Sequence, residues 1–154
     1  MKLLLSFAAA SSMSACIIPV GPEFQDPPGA PNSSPEILDP DPLWGAEVTG
    51  MAPDGKTFKF AVTDPNNEEL YLRWIVDGRT VPGPGMASPA DFGTPLTKQV
   101  TCTDVDVRLS RHAITAVVAD RTFFEGDPDL YRIHDQGLSD KITWTLNLTC
   151  PVSP

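Results

Sequence analysis

Two acidic turns carry the side chains that are best suited to bind a ligand. The candidate oxygen donors are Asp64, Asn66 and Glu68 in the first turn, and Asp127 and Asp129 in the second. Carboxylate and amide oxygens are the ligands that Ca²⁺ prefers. Neither turn matches an EF-hand loop or a cadherin-type linker. Two interpretations stay open: a calcium site, which requires both turns to lie at one end of the fold, or solvated turns in an acidic chain.

Catalytic chemistry has few candidates in this sequence. The two histidines, His112 and His134, lie in or beside strand-like segments. No GxSxG, HExxH, SxxK or Walker pattern surrounds a potential nucleophile. We therefore predict no catalytic residues, no cofactor and no enzymatic activity.

The N-terminus has the features of an export signal. Lys2 precedes a short apolar run at 3–10, and small residues follow. The run is shorter than the roughly 20 residues that a membrane-spanning helix needs. Residues 13–16, Met-Ser-Ala-Cys, resemble the lipobox of bacterial type II signal peptides, with Met13 where the family most often has Leu.

This resemblance implies that residues 1–15 are a lipoprotein signal peptide, cleaved after Ala15, and that Cys16 carries the lipid. Two or three acyl chains anchor a protein stably, at about 0.8 kcal/mol per buried methylene. Ile17 follows the cysteine, whereas Asp at that position resembles an inner-membrane retention signal in enteric bacteria. We therefore expect an envelope protein on the outer membrane, with its side of the membrane open. An ordinary secretory peptide is the alternative.

The remaining cysteines are Cys102 and Cys150. If Cys16 is lipidated, these two are left as a pair in an oxidising compartment, and we predict a disulfide between them. A redox or metal pair is the alternative, but neither a CxxC spacing nor a neighbouring histidine supports it.

The mature chain divides by composition into a tether, 16–42, and a domain, 43–154. Eight of the 17 prolines fall between 17 and 42, which predicts an extended spacer. The whole chain has 11 basic and 20 acidic residues, for a net charge of −9, and no basic stripe. Nucleic acid is therefore a poor partner.

Strand-like segments follow one another from 43 onwards. Alternating apolar residues predict strands at 55–62, 70–77, 100–109 and 142–150, and a more continuous apolar run predicts a central strand at 112–120. The inward residues of the third segment are expected to be Val105, Val107 and Leu109. A loop rich in Gly and Pro is predicted at 82–95. Short strands separated by turns favour an all-β, antiparallel sandwich.

Residues 70–78 and 112–121 resemble the central strands of immunoglobulin-like β-sandwiches. This resemblance implies a core position for Trp74. The chain departs from the antibody pattern because Cys102 and Cys150 both follow Trp74, so only the general architecture carries over.

We expect a structural or protein-interaction module anchored in the envelope by its lipid. The alternative is a module that binds polysaccharide or Ca²⁺ through the 82–95 loop and its neighbouring turns. Trp44 is relevant to this choice because a sugar site needs an exposed aromatic ring. Its position just after the tether nevertheless predicts a core or edge residue.

Overall fold

The computed structural model describes residues 32–134 and 137–151, and these ranges belong to one compact unit. The signal peptide, Cys16 and the tether as far as residue 31 lie outside the described residues. The elements, in chain order, are β1 Glu36–Asp41, β2 Glu47–Thr49, β3 Lys56–Thr63, β4 Leu70–Val76, β5 Arg79–Val81, β6 Met86–Ala87, a 3₁₀ helix Pro89–Asp91, β7 Leu96–Val100, β8 Arg111–Ala119 and β9 Ser139–Asn147.

The strands form two sheets, so the protein is an all-β sandwich, as predicted. The first sheet has the order β1-β3-β7, and the second has the order β2-β9-β8-β4-β5, with β6 also paired to β4. All pairs are antiparallel except β2 with β9, which run parallel. The chain crosses from one sheet to the other after β1, β2, β3, β6 and β7.

An aromatic cluster forms the centre of the core between the sheets. Phe58 and Phe60 of β3 face Trp74 of β4 and Trp144 of β9, with ring centroids 5.0–6.4 Å apart. All four side chains are buried. Aromatic contacts of this kind stabilise a core beyond the area that they bury. The core position implied for Trp74 is therefore confirmed.

A second, smaller apolar cluster lies on the outer face of the second sheet. Ile75 of β4 and Val117 of β8 pack there against Phe123, Leu130 and Ile133. Segment 120–134 thus covers a face that would otherwise meet solvent. This explains why β8 is apolar on both sides and has no alternating pattern.

The turn between β4 and β5 follows directly from its sequence. Asp77 and Gly78 both have positive φ, 49° and 73°. Two such residues between paired strands make the type I′ turn that Asp-Gly favours.

The predicted strand at 100–109 is wrong. Strand β7 ends at Val100, and residues 101–110 form turns. Val105 is buried, but Val107 and Leu109 are exposed. The backbone hydrogen-bonds locally instead: the Asp106 carboxylate accepts the N–H and guanidinium of Arg108, which together lower the pKa of Asp106. Asp side chains that accept nearby backbone N–H groups favour turns over strands.

The N-terminal limit of the folded unit also differs from the expected one. Strand β1 lies inside the range expected to be tether, and it pairs with β3 through Ile37 and Val62. Pro40 is compatible with this strand because β1 is at the edge of its sheet. Trp44, expected in the core or at an edge, is 53% exposed. Within the described ranges, no helix is long and apolar enough to cross a membrane.

Candidate functional site

The predicted disulfide is present. Cys102 and Cys150 are bonded, with their Cα atoms 5.6 Å apart. Cys102 follows β7 of the first sheet, and Cys150 follows β9 of the second. The bond therefore links the two sheets at one end of the sandwich.

A partly buried ion pair lies next to this disulfide. The Nζ atom of Lys98 is 2.9 Å from the Oδ1 atom of Asp104. Burial raises the pKa of Asp104, but hydrogen bonds donated by the Thr101 backbone and by Lys98 outweigh it, so the pKa lies below its ordinary value. The ionised carboxylate holds the 101–104 turn against β7.

His112 is buried, and each of its ring nitrogens lies against an oxygen of the protein. Its Nδ1 atom is 2.7 Å from the Oδ2 atom of Asp77, and its Nε2 atom is 3.0 Å from the backbone oxygen of Leu148. Asp77 also accepts the backbone N–H groups of Asp106 and Ala113. This arrangement joins the β4–β5 turn, β8 and the C-terminal segment. The other histidine, His134, is exposed and stacks on Phe124 with a centroid distance of 3.9 Å.

The first acidic turn lies at the end of the sandwich opposite the disulfide, because it precedes β4, and Tyr71 near the start of β4 pairs with Ala119 at the end of β8. An ion pair of 3.0 Å joins Glu68 of this turn to Arg121, at the start of the segment that carries the second turn. Further along that segment, Glu125 and Leu130 contact Arg73 in the middle of β4. The topology therefore does not by itself bring the oxygens of the two turns together.

In the first turn, several of the candidate oxygens already accept hydrogen bonds from backbone N–H groups. Asp64 accepts the backbone N–H of Glu68, and the Oδ1 atom of Asn66 accepts that of Ser33. The Oδ1 atom of Asp64 is buried, and no hydrogen-bond partner for it is found within 32–134 and 137–151.

In the second turn, the Oδ2 atom of Asp127 pairs with Arg132, and its Oδ1 atom accepts the backbone N–H of Asp129. Asp129 in turn accepts the N–H of Tyr131. Across residues 32–134 and 137–151, no three His, Cys, Asp or Glu side chains are arranged to hold a metal ion. The calcium site stays a prediction without a coordinating cluster among these residues.

The structure also contains a cleft that the sequence analysis missed. Its volume is about 590 Å³, and it lies along the edge of β4 where β5 ends and β6 begins. Val81 pairs with Trp74, and the Gly85 carbonyl accepts the backbone N–H of Leu72. The three residues between Val81 and Gly85, 82–84, therefore bulge away from β4. We call this cavity the Arg73 cleft, and six of its lining residues are Tyr71, Arg73, Trp74, Met86, Phe123 and Glu125.

Arg73 is the cation of this cleft. Its guanidinium donates to the backbone oxygens of Phe124 and Leu130 and to Glu125, and it lies 4.4 Å from the centroid of the Phe123 ring. One signal in the sequence could have revealed it. Arg73 interrupts an otherwise apolar strand, Leu70–Val76, and a buried arginine needs partners.

The residues proposed for sugar binding are not brought together. Trp44 precedes β2, at one edge of the second sheet, whereas 79–87 lies at the opposite edge. The 82–95 loop is also more ordered than predicted, because it contains β6 and the 3₁₀ helix.

Comparisons with known proteins give no match: no family model, curated protein or solved structure is significantly similar to this chain.

Proposed function

We propose that this chain is a non-enzymatic lipoprotein of the bacterial envelope, whose β-sandwich acts as a structural or protein-interaction module. The observation that carries the proposal is the use of cysteine. The chain has three cysteines, and Cys102 and Cys150 are consumed by the disulfide. The third, Cys16, stands in the lipobox-like sequence.

The disulfide also supports export. Disulfides persist in oxidising compartments, and they are rare in a reducing cytosol. A lipid on Cys16 would then hold the sandwich near a membrane, and the Pro-rich residues after it would act as a spacer. We place the anchor in the outer membrane because Ile17 follows the cysteine.

The state of the histidines supports an interaction role over catalysis. Both ring nitrogens of His112 are engaged, by Asp77 and by the Leu148 carbonyl. Such a ring has no free lone pair with which to remove a proton from a substrate. His112 therefore stabilises the end of the sandwich.

Metabolic labelling with a palmitate analogue tests the anchor. The protein should be labelled and should partition into detergent, and Cys16→Ser should abolish both properties. The matched control is the double variant Cys102→Ser, Cys150→Ser, which removes two thiols but keeps the lipobox. Equal labelling of the Cys16→Ser variant would refute the anchor.

Crosslinking in intact cells tests the interaction role. The anchored protein should capture a discrete envelope protein, and the Cys16→Ser protein should not. Capture of polysaccharide alone would overturn the protein-interaction role.

Polysaccharide binding is a second candidate, and one observation favours it. The Trp44 ring is 53% exposed, and the neighbouring Leu43 is 75% exposed. Flat aromatic faces in solvent are what sugar rings stack on. Titration with surface polysaccharide should quench tryptophan fluorescence, and Trp44→Ala should abolish the change. Because Trp74 and Trp144 are buried, they should contribute little to it.

A further inference from the structure

We propose that the Arg73 cleft binds a small carboxylic acid with an apolar body, whose carboxylate replaces Glu125 on the Arg73 guanidinium. The volume of about 590 Å³ lies within the range of small-molecule sites. This inference does not depend on the lipid anchor.

The first argument is the electrostatic state of Arg73. Its side chain is only 7% exposed, and two of its partners are the neutral carbonyls of Phe124 and Leu130. These carbonyls orient the guanidinium but do not neutralise its charge. Because a buried charge requires compensation, the site favours an anion.

The second argument is that the Glu125 carboxylate, which pairs with Arg73, gains little from this ion pair. The Oε1 atom of Glu125 is 3.1 Å from Arg73, but the Glu125 side chain is 92% exposed. An exposed carboxylate gains little from such a pair, because water screens it and its side chain loses conformational freedom. A ligand carboxylate would meet an arginine that is already oriented, and would displace an exposed competitor. A guanidinium also binds carboxylates well, since its donors match both oxygens.

The third argument is the character of the walls. Tyr71, Phe123 and Met86 provide apolar surface, and Met86 is 53% exposed. Methionine adapts its shape to different ligands. A cleft with apolar walls next to a fixed cation is complementary to an apolar body that ends in an acid.

Titration of the purified full-length protein with 3-phenylpropionate tests this proposal, with 3-phenylpropionamide as the uncharged probe. We expect saturable binding of the acid, monitored by the NMR signals of Arg73 and Met86, and at least about tenfold weaker binding of the amide. Equal binding of acid and amide, or no saturation by the acid, would overturn the proposal.

Four variants test whether the acid binds in the Arg73 cleft. Glu125→Gln removes the competing carboxylate and should tighten binding of the acid by about threefold or more. Glu47→Gln removes the same charge at the opposite edge of the second sheet and should leave affinity unchanged. Met86→Glu adds a negative charge at the cleft and should weaken binding. Arg73→Met should abolish binding, but this change also removes the hydrogen bonds that Arg73 donates to segment 120–134. The variants of the exposed residues Glu125 and Met86 therefore provide the deciding test of the binding site. Unchanged or weaker binding by Glu125→Gln would refute the displacement.

Discussion

The Nδ1 atom of His112 lies 2.7 Å from the Oδ2 atom of Asp77, and both side chains are almost wholly shielded from solvent. On its other side, the ring meets the backbone oxygen of Leu148. A carbonyl can only accept a hydrogen bond, and the Asp77 carboxylate already accepts two backbone N–H groups. The ring of His112 is therefore held between two oxygen acceptors, the Asp77 carboxylate and the Leu148 carbonyl.

Replacement of His112 by Phe should lower the free energy of unfolding by about 3 kcal/mol. The variant removes the contacts of the ring with the buried Asp77 carboxylate and with the Leu148 carbonyl, and leaves both acceptors without this partner. Urea denaturation measures the loss. His134→Gln is the control, and because that side chain is exposed the change should stay below about 1 kcal/mol. The double variant His112→Phe, Asp77→Asn should lose less free energy of unfolding than the sum of the losses in the two single variants, because the two residues interact.

The Asp104 carboxylate should make the free energy of unfolding depend on pH in the acidic range. Its pKa is lower in the folded protein than its ordinary value of 3.8, so the ionised form stabilises the fold above pH 3.8. This contribution is lost as the pH falls through the folded pKa. Asp104→Asn should therefore cost about 1 kcal/mol at pH 7 and progressively less below pH 3.8.

Urea denaturation at several pH values measures the effect of Asp104→Asn. Asp54→Asn, which removes an exposed carboxylate, should differ from the wild type by less than about 0.5 kcal/mol at pH 7. A constant deficit for Asp104→Asn from pH 7 to pH 2 would argue against the charge effect.

The disulfide should contribute about 4 kcal/mol to stability, because it closes a loop with a sequence separation of 48. The double variant Cys102→Ala, Cys150→Ala and the reduced wild type should both show this loss in urea denaturation. Without reductant, thiol alkylation of the native protein should label neither residue. A loss below about 1 kcal/mol would show that the unfolded chain gains little freedom when the bond is removed.

Two glycines with similar backbone angles should respond differently to alanine. Gly55 has φ +72°, and an added Cβ would lie 1.8 Å from the Val100 carbonyl oxygen. Gly78 has φ +73° with open space around it. Gly78→Ala should cost about 1 kcal/mol from backbone strain alone, whereas Gly55→Ala should cost about 3 kcal/mol or more because the backbones must also separate. Equal midpoints in urea would exclude the steric contribution.

The alternation of apolar and polar residues predicted those strands that have one face in the core and the opposite face towards solvent or polar side chains. In β3 and β9, buried residues such as Phe58 and Trp144 alternate with polar ones, so the pattern shows the face directly. The disulfide was predictable because a lipid on Cys16 leaves one possible pair. The strand faces follow from local sequence, and the disulfide follows from the number of cysteines.

The parts that were not predicted depend on long-range contacts. Residues 101–110 alternate as a strand does, but Asp104 accepts the Thr101 N–H and the Lys98 ammonium, and this stabilises a turn. The Arg73 cleft requires segment 122–125 to lie against β4, which local periodicity does not encode. The burial of His112 was not predicted either, because its partner Asp77 is 35 positions away in the sequence.

The parallel pairing of β2 with β9 has a mechanical consequence. The N-terminal side of the described domain meets the start of β9, where Ser34 donates to the Ser139 backbone, whereas Cys150 follows the other end of that strand. A force that stretches the domain between these two sides pulls β2 and β9 in opposite directions along their length. Their interstrand hydrogen bonds then bear the load together, instead of breaking one after another as in peeling. We therefore expect the β2–β9 pair to resist stretching between these two sides.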